Sequence, residues 1–389
     1  MASEKEPYRL LKHINDVDIS EQDIWDYEPE ILQQLLIDHT MSAKARSEAN
    51  DPSKRVNIFW ATSDYEIQRE GEDKNGFRYD DQITPEKIIG VNGRVIMPRV
   101  LKNKQLQVDR TRDKAEVFTP SWVCNAQNNL IDEAWFGYKN VFNHEIVNED
   151  GTYSWIPTEG KIIFPENDKQ KTWKKYVTEN RLEVTCGEAP YLVSRYDTTT
   201  GEPISLNNRI GILDRKLRVV SENTEDSGEW LEWARKAFMH TYGYEWQGDN
   251  LLLAREALLY TFIEYFKDKF PEESLKKPSI IGIARIISWN LWQMDGIKMV
   301  VPNSCDKQFE TDLFGEKTKI ECAACKNGES FGHIGVRCLI RDWGKTKKPE
   351  GYKFKKGEDP QSKPWQKMEF QSLLLSKNRT EDEENEKDD

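Results

Sequence analysis

The feature that most constrains the fold lies between residue 106 and about residue 302, where apolar segments suited to strands alternate with segments of helical spacing. Phe238 to Tyr244 is rich in β-prone residues, and the following stretch to Phe262 repeats its apolar residues at helical spacing. Chains that alternate in this way form layered α/β domains. We therefore predict an α/β fold for this region.

Two acids in this region stand where a predicted strand meets a loop. Glu183 ends the strand-like start of LEVTCGEAPYL, and Gly187 can make the sharp turn that follows. Glu245 ends the second strand, before a helix that Asp249 is suited to cap. Acids at strand ends hold nucleoside cofactors in dinucleotide-binding folds, so both are candidate binding residues. The structural alternatives are a plain turn at Glu183 and a surface acid at Glu245.

Four segments of the chain, taken in order, resemble the motifs of adenine-N6 DNA methyltransferases. Phe118-Thr119-Pro120 resembles the Phe/Tyr-Thr-Pro signature of that family, and LEVTCGEAPYL resembles the motif that follows it. YGYEWQGDNLLLAREALL is similar to the ribose-binding segment, and NLWQMDGI is similar to the segment after that. Together they cover roughly residues 110 to 300. The sequence around them, including GEAPYLVSRYD and RIGILDRKLR, resembles subunit M of bacterial restriction-modification systems.

The resemblance implies a Rossmann-like class I core that binds S-adenosylmethionine. It also implies a role for each matched residue: the methionine end of the cofactor is cradled by Phe118, Thr119 and Pro120, the cofactor turn is formed by Glu183 and Gly187, the ribose is held by Glu245, and the adenine lies near Asp295. One position departs from the family. Ala189 stands where the family usually has a second glycine, and its methyl group would crowd the closest approach to the ligand.

A larger departure concerns catalysis. The exocyclic amine of adenine is a poor nucleophile, and the family holds it with an Asp/Asn/Ser-Pro-Pro-aromatic motif that also stacks on the flipped base. This sequence contains no Pro-Pro pair, so no catalytic residue is identified. We therefore predict a component of a DNA methyltransferase, which depends on a partner methyltransferase or restriction subunit for that motif and for target recognition.

Two other functions remain open from the sequence. The first is a non-catalytic DNA-binding or regulatory subunit of a restriction or defence complex with a degenerate methyltransferase fold. The second is a complete methyltransferase that acts on RNA, protein or a small molecule by positioning alone.

A cysteine cluster gives the second chemical signal. Cys322, Cys325, His333 and Cys338 follow the pattern C-x2-C-x7-H-x4-C. Three thiolates and an imidazole form a closed tetrahedral set suited to structural zinc. Cys305 is a spare candidate ligand. The alternative is a group of buried small residues beside a surface histidine.

Charge is unevenly placed along the chain. The net charge of -12 argues against a protein that coats nucleic acid with its whole surface. The last ten residues hold seven acids and one lysine, which predicts a disordered tail. Two basic segments, Arg99 to Lys114 and Arg341 to Lys367, are either phosphate-contacting strips or solvated faces.

These patterns predict a linear domain order. Residues 1–105 form an α+β extension, residues 106–302 the cofactor-binding domain, residues 303–345 a zinc-knuckle-like appendage, and residues 346–389 a basic linker with the acidic tail. No apolar run is long enough to cross a bilayer, and the N-terminus lacks the apolar stretch of a secretory signal, so we expect a cytoplasmic protein.

Overall fold

The computed structural model of the chain describes residues 17–67, 74–102, 119–166, 168–354 and 363–374. Its helices are α1 (Glu21–Tyr27), α2 (Pro29–Leu36), α3 (His39–Ala49), α4 (Asp64–Ile67), α5 (Pro85–Ile88), α6 (Ser121–Phe136), α7 (Trp173–Val177), α8 (Ile212–Asn223), α9 (Ser227–Met239), α10 (Gly248–Lys269), α11 (Lys277–Asn290) and α12 (Ala323–Asn327). Its strands are β1 (Asn143–Val147), β2 (Tyr153–Pro157), β3 (Arg181–Glu183), β4 (Thr241–Glu245), β5 (Leu291–Gln293), β6 (Phe309–Thr311), β7 (Lys317–Lys319), β8 (Leu339–Arg341) and β9 (Lys367–Glu369).

The strands form small sheets. One sheet has three strands in the order β3-β4-β5, and the pairs β1-β2, β6-β7 and β8-β9 are antiparallel. β3 runs parallel to β4, with Glu183 opposite Gly243. Along the chain, α8 and α9 lie between β3 and β4, and α10 and α11 lie between β4 and β5. These elements form a mixed structure of helices and small sheets.

The chain divides into two compact units, each built from separated stretches. The first unit comprises the described residues within 1–36, 83–243 and 249–291, and the second comprises the described residues within 37–82, 244–248 and 292–389. The linear domain order predicted from sequence has no such interleaving, because motif spacing along a chain does not show which distant stretches pack together.

In the first unit, helices supply most of the core. α2 packs on α11, and α9 packs on α8 and α11. α10 is buried along most of its length, and the apolar residues predicted for its core face, from Leu251 to Phe262, are buried. Its Arg255 is also buried, and it donates to the carbonyl oxygens of Leu35, Ser288 and Leu291. The buried guanidinium therefore keeps its hydrogen bonds.

In the second unit, Gln293 ties three stretches of backbone together. Its amide nitrogen donates to the carbonyls of Phe59 and Trp246, at 2.8 Å each, and its amide oxygen accepts from the backbone nitrogen of Phe59 at 3.1 Å. Gln293 is buried, so this paired side chain fixes the local backbone geometry. The Cys/His group described below belongs to the same unit.

Among the residues that the structure describes, no helix combines the length and the apolar composition needed to cross a bilayer.

Candidate metal centre and cofactor segments

Four side chains of the types that can bind a metal converge in the second unit. The donor atoms of Cys305, Cys322, Cys325 and His333 all lie within 4.8 Å of one another. The Nδ1 atom of His333 is 3.9 Å from Cys305 Sγ, 3.6 Å from Cys322 Sγ and 3.4 Å from Cys325 Sγ. Tetrahedral zinc with ordinary bond lengths separates sulfur and nitrogen ligands by roughly 3.6 Å. The group could therefore bind a metal such as zinc.

The backbone fixes the ring of His333 in the form that a metal requires. His333 Nε2 lies 2.8 Å from the carbonyl oxygen of Glu329. Because a carbonyl only accepts, Nε2 carries the hydrogen and Nδ1 presents its lone pair to the three sulfurs. A ligating histidine in proteins usually has such a partner on its second nitrogen.

Short local elements bring the ligands together. Cys305 lies in the 3-10 turn Ser304–Lys307, and Cys322 is the residue at the N-terminal cap of α12. A Cβ atom added to Gly335 would lie 2.5 Å from Ser304 Oγ and 3.0 Å from Cys305 Sγ. The backbone at Gly335 thus lies so close to Ser304 and Cys305 that only a residue without a side chain fits there.

Hydrogen bonds favour the thiolate at Cys322. Burial raises the pKa of this thiol, but bonds from the backbone N–H groups of Ile334 and Cys325, together with His333, outweigh burial and lower the pKa to about 6. The thiolate is the form that binds a metal. Cys305, Cys322 and His333 are buried, whereas Cys325 is exposed.

The fourth thiol differs from the prediction. Cys338 does not belong to the group: it is buried just before β8, where its thiol donates to the carbonyl of Gln293 at 3.5 Å. Burial raises the pKa of this thiol well above its ordinary value. Cys305, the spare candidate, takes the place of Cys338. After His333, Arg337 forms a bridge with Val300 and β8 begins at Leu339. The backbone at Cys338 is therefore held away from the other ligands.

The segment around Glu183 forms a strained turn at the end of β3. Glu183 is the last residue of the strand, and its Oε1 accepts from the backbone nitrogen of Tyr191 at 3.3 Å. Three residues of the turn have positive φ: Thr185 at 49°, Gly187 at 53° and Ala189 at 61°. Gly187 makes the predicted turn. Ala189 is fully buried in a backbone conformation that usually requires glycine.

The Thr-Pro segment leads directly into a helix. Thr119 and Pro120 immediately precede α6, while Phe118 lies outside the described residues. The first amide of α6, at Ser121, donates to Asp197 Oδ2 at 2.8 Å, and Thr198 Oγ1 donates to the carbonyl of Thr119 at 3.1 Å. The 197–198 turn therefore fixes the segment that the family resemblance assigns to the cofactor.

The other two predicted acids also stand at or just beyond strand ends. Glu245 is the last residue of β4, and its Oε1 accepts from the backbone nitrogen of Gln247 at 3.2 Å. α11 ends at Asn290 and β5 follows at once, so Asp295 lies two residues beyond a strand. Its Oδ1 accepts from the backbone nitrogens of Ile297 and Lys298, at 3.0 Å each.

The basic segments are described only in part. In the first, Lys102 is buried and its ammonium lies 3.6 Å from Asp249 Oδ2, while residues 103–118 lie outside the described ranges. In the second, Arg341 is buried and donates to Gln366 Oε1 at 2.9 Å. Lys102 and Arg341 therefore have structural contacts, and Lys345, which is about half exposed, pairs with Asp342 at 3.4 Å. The acidic residues at 380–389 are also outside the described ranges.

Sequence reasoning did not find the residues that support the metal ligands. Glu329 acts through its backbone carbonyl and Gly335 through its lack of a side chain, and neither leaves a signal in a ligand pattern. The 16 residues between Cys305 and Cys322 contain the β6-β7 hairpin, which returns the chain to the same place. A search for ligands across a hairpin could have ranked Cys305 above Cys338.

The chain matches no family model, no curated protein and no solved structure.

Proposed function

We propose that this chain is the S-adenosylmethionine-binding component of a DNA adenine-N6 methyltransferase of restriction-modification type. The observation that carries the proposal is the sheet β3-β4-β5. Its strands follow one another in chain order with helices between them, and Glu183, Glu245 and Asp295 stand at or just after the strand ends. Acids in these positions hold nucleoside cofactors in open α/β sheets.

The turn after β3 supports the same proposal. Thr185 and Ala189 hold a left-handed backbone that costs each of them roughly 1–2 kcal/mol. Such strain persists only where the surroundings impose it, and it is concentrated at ligand sites.

In this proposal the side chains bind and orient, and a partner chain supplies the Pro-Pro-aromatic motif. Glu245 accepts hydrogen bonds from ribose hydroxyls, and the segment Phe118-Thr119-Pro120 borders the methionine end. The cofactor, when bound, supplies an activated methyl group for transfer to the amine of adenine. The residues of this chain are proposed to position that group.

The metal centre is proposed to hold zinc in a structural role. Cys305, Cys322, Cys325 and His333 would fill all four positions of a tetrahedral ion. No position remains for a water molecule or a substrate, which is the arrangement of structural rather than catalytic zinc sites. The metal would join the turn at Cys305 to the knuckle at Cys322 and the loop at His333.

One observation favours the alternative function, a regulatory or DNA-binding subunit that binds no cofactor. Ala189 replaces the family's glycine at the closest backbone approach and is fully buried. If its methyl group blocks the ligand, the fold would remain without cofactor binding.

Isothermal titration with S-adenosylmethionine distinguishes the two functions. We expect a heat of binding for the wild type and at least about tenfold weaker binding for Glu245→Ala, since one lost charged hydrogen bond is worth about 1.5–3 kcal/mol. Glu232→Ala, an exposed acid on α9, is the matched control and should bind as the wild type does. No heat with the wild type rules out the proposed function, and equal binding by Glu245→Ala rules out the ribose contact.

A further inference from the structure

A cavity of about 440 Å³ lies in the first unit, beside the end of α10. One wall is the loop of residues 195–209, and Lys267 and Asp268 of α10 line the other. Val17, Ile204 and Leu206 add apolar surface. Cavities of about 300–1,000 Å³ with mostly apolar walls and a few placed polar groups hold small molecules in proteins. The cavity therefore has the size and lining of a binding site.

Backbone hydrogen bonds fix the loop that forms the first wall. The backbone nitrogen of Ile204 donates to the carbonyl of Arg195 at 2.8 Å, and that of Asp197 donates to the carbonyl of Glu202 at 2.9 Å. Tyr196 and Pro203 form a bridge between the same two stretches. The loop is thus closed on itself, and it presents its side chains to the cavity from a fixed backbone.

Two guanidiniums of this loop meet one carboxylate of α10 at the cavity. Arg195 Nε and Nη2 each donate to Glu264 Oε1 at 3.0 Å, and Arg209 Nη1 donates to Glu264 Oε2. All three side chains are at most 6% exposed. Both oxygens of Glu264 are therefore engaged, and this carboxylate holds the two guanidiniums in place.

Arg209 retains a donor that faces no protein acceptor. Its Nε donates to the carbonyl of Ile204 at 3.4 Å and its Nη1 to Glu264. Within the described part of the chain, its Nη2 makes no hydrogen bond, although the side chain is 94% buried and lines the cavity. A guanidinium stays protonated, and a buried donor without an acceptor costs free energy. An acceptor on a bound molecule would remove that cost.

The charges around the cavity indicate which acceptor fits. Three of the lining side chains are cations, Arg195, Arg209 and Lys267, and two are acids, Glu264 and Asp268. One added negative charge balances this set. The two N–H groups of Nη2 match the two oxygens of a carboxylate, whereas a phosphate would leave most of its acceptor oxygens without donors.

We propose that this cavity binds a small monocarboxylic acid, whose carboxylate accepts from Arg209 Nη2 and whose apolar body contacts Ile204 and Leu206. Glu264 does not touch the ligand; it positions the guanidinium. Among the described residues, the lining does not include the acids proposed to hold S-adenosylmethionine. The inference therefore goes beyond the proposed function and stands whether or not the chain binds that cofactor.

Saturation-transfer NMR of the full chain with butyrate, hexanoate and benzoate tests the site. We expect at least one of these acids to bind, and its neutral amide to bind at least about tenfold more weakly, because one hydrogen bond to a charged group is worth about that factor. Arg209→Met should weaken binding of the acid by at least the same factor. Arg285→Met, which removes an exposed guanidinium on α11, is the matched control and should bind as the wild type does.

A second variant keeps the test independent of the buried ion pairs. Leu206→Trp leaves Arg195, Arg209 and Glu264 unchanged but fills part of the cavity, so it should abolish binding of the acid even if Arg209→Met does not fold. The proposal is overturned if none of the three acids binds, if the amides bind as tightly as the acids, or if Leu206→Trp or a folded Arg209→Met binds the acid within twofold of the wild type.

Discussion

Two buried glutamates on α10 show how context decides what a carboxylate does to stability. Glu264 Oε1 lies 3.0 Å from Arg195 Nη2, and Glu264 Oε2 accepts a hydrogen bond from Arg209. Glu256 lies two turns earlier and is fully buried, and among the described residues neither of its carboxylate oxygens has a hydrogen-bond partner. Burial, and then the charges of Glu21 and Asp18, raise the pKa of Glu256 well above its ordinary value.

We predict that Glu256→Gln stabilises the protein increasingly as pH rises. A carboxyl whose pKa is higher in the folded state binds its proton more tightly there, so its contribution to stability falls as pH rises above the unfolded value. The gain at pH 8 should be about 1–3 kcal/mol, the usual cost of a buried group without a partner. Urea unfolding at pH 5 and pH 8 measures it.

Glu264→Gln is the matched control on the same helix. Because it removes the charge that two guanidiniums face, it should destabilise the protein at both pH values. A Glu256→Gln variant whose advantage over the wild type does not grow between pH 5 and pH 8 would contradict this account of Glu256.

At the scale of elements, the start of α6 depends on a side chain distant in sequence. Asp197 accepts from the first amide of the helix, at Ser121, and from the backbone nitrogens of Thr199 and Thr200. Burial raises the pKa of Asp197, but hydrogen bonds from Thr199 and Ser121 outweigh it and lower the pKa to about 2. The carboxylate therefore serves as the N-terminal cap of α6.

We predict that Asp197→Ala costs about 1 kcal/mol at pH 7, the usual value of a helix cap. Because the pKa is lower in the folded state, the stabilisation by Asp197 is present above about pH 4 and is lost as pH falls towards 2. The difference from the wild type should shrink over that range in urea unfolding. Asp150→Ala is the control, since Asp150 binds Thr152 in a similar turn but caps no helix. The capping role would be contradicted if Asp197→Ala lost no more free energy of unfolding than Asp150→Ala, or if its loss did not depend on pH.

The elements also show how far sequence reasoning reached. Glu183 and Glu245 were placed correctly at strand ends because a local change from β-prone to helical pattern marks those positions. The predicted strand from Phe238 was too early, since α9 continues to Met239 and β4 begins at Thr241. Phe238 is apolar because it is buried on a helix, and burial alone does not separate the two structures.

At the scale of the whole molecule, sequence spacing predicted a metal site from four residues, and three of them belong to the group that could hold a metal, whereas Cys338 does not. Cys322, Cys325 and His333 lie within one short segment, where spacing is informative. Cys305 lies beside them because the β6-β7 hairpin closes the intervening loop. Cys338 lies outside the group because it directly precedes β8. Which distant residues the folded chain brings together depends on tertiary structure, and a local sequence pattern does not predict it. The two units, each built from separated stretches, also depend on contacts between distant parts of the chain.

The most direct test of the metal centre is emission spectrometry on protein purified without added zinc. We predict about one zinc ion per chain for the wild type, since four protein ligands form one closed site. Cys305→Ser should lose the metal, and it should unfold at a lower temperature because metal binding contributes to folding stability. Cys338→Ser is the matched control, because its thiol contacts the carbonyl of Gln293 rather than the cluster, and it should keep the metal. A wild type without stoichiometric metal, or a Cys338→Ser variant that loses zinc while Cys305→Ser retains it, would contradict the account.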